Sequence, residues 1–335
     1  MTNGWRRAVL LVCCGLLADA CDVQSPTAGI DRGGIRTPVV TQGPITGFGS
    51  IIVNGVHYDI SNAAIDVDGG VAMGADLQLG QLVTVVGERD SNGTTGVATT
   101  VSARTNVRGP IQMIDSAAGT LVVLDQDIVV DSGTVLSFGA DPSDLTMLSV
   151  GDVVSVSGFA GAGGLIAATR IAKVSADGGY RIVGTVSNLR ASDFLFNING
   201  LVVNYQGALV IDGFASGGPA NGDQVTVSGT TVSANGELLA LELRHEQPEF
   251  THDPGGESEV DGLITRFSSA QDFDVGGVPV TTTADTRYEG GDASSLALSV
   301  RVEVEGSDDG NGVIVARSID IKNSGQVVGW GEGGG

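Results

Sequence analysis

The sequence of 335 residues is poor in the residues on which disulfide-bonded and nucleic-acid-binding proteins depend. It has only three cysteines, and because all of them lie within the first 21 residues, a disulfide-stapled scaffold is excluded. Aromatic residues make up 4%, and 17 basic residues stand against 39 acidic ones, for a formal net charge of -22. Nucleic-acid binding relies on Lys and Arg neutralising phosphates and on stacking aromatics, so this function is not expected.

The apolar run Ala8–Ala18 is too short to span a bilayer, which takes about 20 residues. Arg6 and Arg7 precede this run, and Ala18 and Ala20 fit the small-residue A-x-A pattern of a cleavage site. The sequence therefore predicts that residues 1–20 are a secretory signal peptide.

Cys21 directly follows the predicted cleavage point, an arrangement that resembles the lipobox of bacterial lipoproteins. In that family the cysteine after a small-residue tripeptide receives the lipid, so the resemblance implies that Cys21 is acylated. Leu17 lies one place earlier than in the lipobox pattern, and Asp19 is acidic, so cleavage to a soluble exported chain stays open as an alternative. Residues 21–42 are predicted to form a lipid-anchored flexible linker, because they are rich in Gln, Ser, Pro, Thr and Gly.

One motif, Gly-x-x-Val-x-Val-x-Gly, recurs along the chain at nearly constant spacing. Its copies begin at Gly80, Gly151 and Gly222, and a fourth copy has Ser299 in place of the first glycine. The intervals are 71, 71 and 77 residues, a regularity that indicates internal duplication.

Each copy contains three predicted strands, a short helix or loop, and two further strands. Period-2 alternation supports the strands: in Arg301–Glu305 it places Val302 and Val304 toward the interior and the charged residues toward water. The predicted tight turns between the second and third strands are Asn54-Gly55, Asp125-Gln126, Asn199-Gly200 and Gly276-Gly277. This order of elements is that of a five-stranded OB-like barrel.

The predicted fold class is all-β, with four tandem small five-stranded OB-like β-barrel domains after a signal peptide and a flexible tether. Acidic residues are expected at solvent-facing strand positions and in turns, and Phe194 and Phe196 are expected in the core. The predicted ranges are β-barrel repeats at 43–105, 108–174, 181–245 and 259–322, a linker at 246–258, and a Gly-rich tail at 323–335.

The tandem units resemble a bacterial family called domain of unknown function 5666. The resemblance rests on Gly43 to Gly55, on Leu77 to Gly87, and on their counterparts in the other copies, and it covers about residues 43–322. It implies exported, often repeated, small β-barrel modules. It implies no known chemistry, because the shared residues are structural glycines and valines.

A group of imidazoles and carboxylates between the third and fourth copies is a candidate metal site, consisting of His245, Glu246, Glu249 and His252. Their spacing is not the helical His-Glu-x-x-His of metalloproteases, and the surrounding prolines and glycines favour a solvated linker as the alternative. The chain has no Gly-x-Ser-x-Gly nucleophile motif. We therefore predict no catalytic residues, no cofactor and no enzyme activity.

The sequence predicts an exported, lipid-anchored cell-envelope protein that acts as a binding or scaffold module, with inner and outer membrane both left open. Expected partners are the membrane, through the lipid on Cys21, and an envelope protein or glycan; nucleic acid and a disulfide partner are not expected. The alternatives are a carbohydrate-binding array and a metal-dependent hydrolase of the envelope. An array predicts similar ligand sites in every repeat, whereas an enzyme predicts one repeat with unique convergent polar groups.

Overall fold

The computed structural model describes residues 36–139, 142–211, 213–214, 217–246 and 256–322. The predicted signal peptide, Cys21, Glu249, His252 and the Gly-rich tail lie outside the described residues. Within them the secondary structure consists of β-strands and short 3₁₀ turns, arranged as four successive repeats. The prediction of an all-β chain with four tandem repeats is therefore confirmed. Among the described residues, no helix is long and apolar enough to cross a bilayer.

The strands are numbered in chain order. The first repeat has β1 (Arg36–Gly47), β2 (Ile51–Val53), β3 (Val56–Asp59), β4 (Ala64–Val67), β5 (Gly70–Ala72), β6 (Leu82–Asp90) and β7 (Thr95–Ala103). The second has β8 (Val107–Asp115), β9 (Thr120–Val123), β10 (Gln126–Val129), β11 (Val135–Ser137), β12 (Val153–Ala160) and β13 (Leu165–Lys173). The third has β14 (Tyr180–Arg190), β15 (Leu195–Ile198), β16 (Leu201–Asn204), β17 (Leu209–Ile211), β18 (Gln224–Val232) and β19 (Leu238–His245). The fourth has β20 (Glu257–Ser269), β21 (Asp272–Val275), β22 (Val278–Thr281), β23 (Arg287–Glu289), β24 (Arg301–Asp308) and β25 (Ile314–Lys322). The 3₁₀ turns are Gly74–Asp76, Leu145–Met147, Ala162–Gly164, Ala176–Gly178, Ala191–Asp193 and Ala293–Ser295.

Five strands of each repeat pair into a closed ring, which makes a small barrel. In the first repeat β1 pairs antiparallel with β2 and β6, β2 with β3, and β6 with β7, while β3 and β7 close the ring as a parallel pair. The other rings follow the same order: β8-β9-β10-β13-β12, β14-β15-β16-β19-β18 and β20-β21-β22-β25-β24. Closure leaves few unpaired strand edges, which protects valine-rich strands from edge-to-edge aggregation.

The repeated motif accounts for this ring. Its two valines are at most 1% exposed in all four copies, as the alternation predicts: Val83, Val85, Val154, Val156, Val225, Val227, Val302 and Val304. Its second glycine lies at a β-bulge, where the fourth and fifth ring strands shift register. There a Cβ atom would lie within 2.2–2.3 Å of a backbone oxygen of the neighbouring strand, at Gly87, Gly158, Gly229 and Gly306. The bulge therefore requires glycine.

The first glycine of the motif adopts a left-handed backbone conformation, with φ of 79° at Gly80, 92° at Gly151 and 95° at Gly222. Its N–H donates to a carbonyl of the first ring strand, as the Gly80 N–H does to the Ile45 oxygen at 2.8 Å. In the fourth repeat Ser299 makes the corresponding bond to the Ile264 oxygen at 2.9 Å with φ of 63°. A side chain in this region costs about 1–2 kcal/mol, so Ser299 is strained.

Replacing Ser299 with glycine is expected to raise the free energy of unfolding by about 0.5–1 kcal/mol. Relief of the left-handed strain outweighs the larger backbone entropy that glycine has in the unfolded chain. Urea unfolding of the purified chain measures the change. Ser299→Ala, which keeps a Cβ atom, is the control and should give no such gain; equal midpoints for the two variants would contradict the explanation.

The repeats are joined by main-chain pairing as well as by side chains. The first and fourth repeats meet where β1 runs parallel to β20, with Val39 opposite Glu257 and Gln42 opposite Val260. The second and third meet where β8 pairs antiparallel with β14 through Val107 and Ile182. The apolar cores of the second and third repeats merge into one cluster, whereas the first and fourth each keep their own.

Three predicted boundaries are corrected by these pairings. Residues 36–42, predicted to belong to the flexible linker, form the first half of β1 because they pair with β6. Glu257 and Ser258, predicted to belong to the linker 246–258, begin β20 because they pair with β1 and β24. The turn in the second repeat is Leu124-Asp125, with φ of 48° and 56°, because Gln126 is 2% exposed and already lies in β10.

Candidate functional site

The predicted metal-ligand cluster lies only partly in the described residues. His245 ends β19, where its Nε2 atom is 4.0 Å from Asp223 Oδ1 and its ring packs edge-on against Phe214 at 5.2 Å between centroids. Glu246 has a different partner, because it accepts a hydrogen bond from the Thr226 hydroxyl. Within the described part of the chain, no three His, Cys, Asp or Glu side chains are arranged to hold a metal ion. The metal site involving Glu249 and His252 stays a prediction.

A buried network of charges lies where the first repeat meets the fourth. Arg89 extends from β6, and its side chain is only 11% exposed. Its Nη2 lies 2.8 Å from Glu257 Oε2, and its Nη1 lies 2.9 Å from Glu259 Oε2. One arginine therefore bridges two carboxylates on the same strand of the partner repeat, a charge-assisted contact with defined geometry.

Glu259 is the most enclosed acid of this network, with its side chain 2% exposed. Burial raises the pKa of Glu259 to about 8, and the neighbouring carboxylates of Glu303 and Glu305 act in the same direction. The nearby guanidinium of Arg89 lowers the pKa but does not outweigh desolvation. The enclosure of Glu259 therefore favours its protonated form. Tyr58 beside it is buried too, and burial raises the pKa of its phenol to about 12.

A second buried acid holds the arginine that links the fourth repeat to the second. Arg301 Nε and Nη2 donate to the two carboxylate oxygens of Asp261 at 3.0 and 2.7 Å. The same guanidinium lies 4.5 Å from the ring centroid of Phe159 in the second repeat, which is a cation–π contact. Glu259 thus contacts the first repeat directly, and Asp261 positions Arg301 against the second, although acidic residues were expected to face solvent.

An open groove lies on the third repeat at the end of its first strand. Its volume is about 530 Å³, and it is lined by Asn188, Leu189, Arg190, Asn197 and Val202. A β-bulge between Ser187 and Arg190 interrupts the pairing of β14 with β15. A bulge of this kind re-aims the side chains of the bulged strand. Here both bulged residues, Asn188 and Leu189, line the groove together with Asn197 on β15 and Val202 on β16.

The backbone beside the groove adopts conformations that are uncommon for non-glycine residues. Asn188 has φ of 49° and Phe194 has φ of 57°. The Leu189 N–H donates to Asn221 Oδ1 at 2.9 Å, which connects the end of β14 to the segment that precedes β18. Such outliers cost about 1–3 kcal/mol each and cluster at functional sites.

Phe194 departs from its predicted core position. Phe196 is fully buried as expected, but Phe194 follows the 3₁₀ turn instead of alternating along a strand, and it is 44% exposed. Its ring packs edge-on against Tyr205 at 5.6 Å between centroids. Sequence reasoning missed the groove because its residues carry no motif. The signal present was that Arg190 has Gly49, Asp115 and Ser268 as its counterparts near the end of the first strand of the other repeats.

Comparison with known proteins gives one family. The family model described as "Domain of unknown function (DUF5666)" matches residues 39–102, 108–172, 183–244 and 261–320. No match is found among curated proteins. A solved Drosophila chain, "Unr CSD456", is 17% identical over 65% of this chain and 97% of its own length, with a TM-score of 0.18.

Proposed function

The chain belongs to the DUF5666 family, whose domain it carries four times, and from this premise we propose that it is an exported, lipid-anchored scaffold of the cell envelope that binds a partner through its barrels. The observation that carries the proposal is that the residues common to the four copies are accounted for by the barrel itself. The shared valines fill the cores, and the shared glycines permit the bulges and turns. Functional differences are therefore left to the loops.

We interpret each ring as an OB-like barrel. The first ring strand pairs with the second and fourth, and the third pairs parallel with the fifth, which supports a five-stranded Greek-key barrel. Such barrels present ligands to a face and to loops at one end, so repetition supplies several rigid platforms. Fold alone names no ligand.

The positions of the two acids with raised pKa values favour a binding role over catalysis. Glu259 and Asp261, whose pKa values burial raises, are 1% and 4% exposed and lie beneath arginines at junctions between repeats. A catalytic acid must reach a substrate, whereas these two carboxyls are enclosed by the protein. Their placement supports a structural role.

Anchoring is proposed from the leader and Cys21. Replacing Cys21 with alanine is expected to abolish incorporation of labelled palmitate and to move the protein from the membrane fraction to the soluble fraction of expressing bacteria. A single cysteine supplies the only thiol left after cleavage of residues 1–20, so the loss should be complete. Equal incorporation of labelled palmitate in the wild type and in Cys21→Ala would contradict anchoring. Cys14→Ala is the matched control and should incorporate label as the wild type does.

A further inference from the structure

An arginine with no partner among the described residues lies in the groove of the third repeat. In a chain with 39 acidic and 17 basic residues, a free guanidinium is unexpected. Within the described residues, every Arg and Lys except Arg190 and Arg287 donates to a carboxylate or a backbone carbonyl. Arg190 is exposed, and it lines the groove. Its charge is therefore available to a ligand.

Two amides share the groove with this charge. The side chains of Asn188 and Asn197 make no hydrogen bond to the described residues, although the Asn197 backbone oxygen accepts one from the Ser187 hydroxyl at 3.1 Å. Each amide offers two donors and one acceptor group. Leu189 and Val202 supply apolar surface between them, and the groove volume of about 530 Å³ falls in the usual range for small-ligand sites.

The shared fold does not require these residues. The corresponding positions near the end of the first strand carry glycine, aspartate or serine in place of Arg190, and the ring of strands closes in the same way in each repeat. The third repeat nevertheless keeps Asn188 and Phe194 in left-handed conformations beside the groove. These side chains are not required by the fold, and the backbone beside them adopts an energetically unfavourable conformation. This combination is expected of a binding site.

We propose that this groove binds a saccharide that carries one carboxylate, such as a hexuronic acid unit of an envelope glycan. Arg190 pairs with the carboxylate, because a guanidinium and a carboxylate match in charge and in two-point geometry. Asn188 and Asn197 bond to sugar hydroxyls, and Leu189 and Val202 contact the C–H face of the ring. The net charge of -22 opposes polyanions, so a single carboxylate is favoured over a highly charged chain. This inference rests on the proposed binding function and names its ligand class.

The test is isothermal titration of the full chain in detergent with two matched disaccharides, glucuronosyl-glucose and glucosyl-glucose. The wild type should bind the acidic disaccharide about 10–100-fold more tightly, the worth of a charge-assisted hydrogen bond. Arg190→Gln should reduce the affinity for the acidic sugar to that for the neutral one. Asn197→Ala should weaken both sugars, because it removes a hydroxyl contact and no charge.

Arg287→Gln is the matched control, because Arg287 is the other arginine with no partner among the described residues and lies on β23 of the fourth repeat. It should leave both affinities unchanged, and coincident thermal unfolding curves confirm that the variants are folded. No binding of either sugar, equal binding of both, or an equal effect of Arg287→Gln would overturn the proposal. These outcomes leave palmitate labelling of Cys21 unaffected, so failure of this inference is distinguishable from failure of the anchoring proposal.

Discussion

The free energy of unfolding is expected to fall by about 2–5 kcal/mol as the pH rises from 5 to 8, because of Glu259. Burial raises the pKa of this carboxyl from 4.5 to about 8 in the folded chain, whereas in the unfolded chain it ionises at its ordinary value. Below pH 4.5 the carboxyl is protonated in both the folded and the unfolded chain, so stability is highest there with respect to this group. Between pH 4.5 and 8 the unfolded chain releases the proton while the folded chain keeps it, so the free energy of unfolding falls as the pH rises.

The effect is isolated by Glu259→Gln, which keeps the size of the side chain and an oxygen that accepts from Arg89. This variant should lose most of the pH dependence between 5 and 8 and be the more stable protein at pH 8. Glu289→Gln changes an exposed acid on β23 and should retain the slope of the wild type. Urea unfolding at three pH values measures all three chains. A wild-type slope preserved in Glu259→Gln would show that this carboxyl is not the titrating group.

Gly158→Ala is expected to destabilise the chain by about 3 kcal/mol, near the upper end for overpacking. The new Cβ would lie 2.3 Å from the carbonyl oxygen of Ala167 on the adjacent strand. Because that atom belongs to the backbone of the bulge, relief requires β12 and β13 to move apart. Thermal and urea unfolding of the purified variant measure the loss.

Gly218→Ala is the control for that substitution. A Cβ at Gly218 meets no atom within 4 Å, and its φ lies outside the left-handed region. Its effect should stay within about 0.5 kcal/mol, as for most surface changes. Equal unfolding of the two variants would contradict the register of the bulge.

Much of each barrel was predictable because its signals are local. The valine alternation identified the buried positions, and Asn54-Gly55 and Gly276-Gly277 occupy the tight turns with positive φ at both residues. Ser299 was recognised as the exception to the glycine motif, and the structure explains the exception as strain. The turn of the second repeat was misplaced by one residue, because Gln126 is polar yet buried.

The junctions could not be predicted, because they depend on which repeat packs against which. Thr41 lies opposite Glu259 across β1 and β20, a pairing between the two ends of the repeat array. Period-2 alternation assigns an acid such as Glu259 or Asp261 to the solvent side of its barrel, which is correct for an isolated repeat. A neighbouring repeat then covers that side, and an arginine compensates the buried carboxyls.

The groove was hidden for a related reason. Arg190 and Asn188 follow no catalytic or ligand-binding motif, and only the bulge brings them beside Asn197 and Val202. An array of binding domains predicts the same site in every repeat. The residues that line the groove of the third repeat are instead not shared by the other copies: Arg190 corresponds to Gly49, Asp115 and Ser268.

The central claim, that the mature protein is exported and lipid-anchored, is tested most directly by the intact mass of the chain extracted from the membranes of the cells that make it. The account predicts a chain that begins at Cys21, lacks residues 1–20 and carries the added mass of a diacylglyceryl group with or without a further acyl chain. A chain that begins at Cys21 with no added mass, or one that retains residues 1–20, would contradict it.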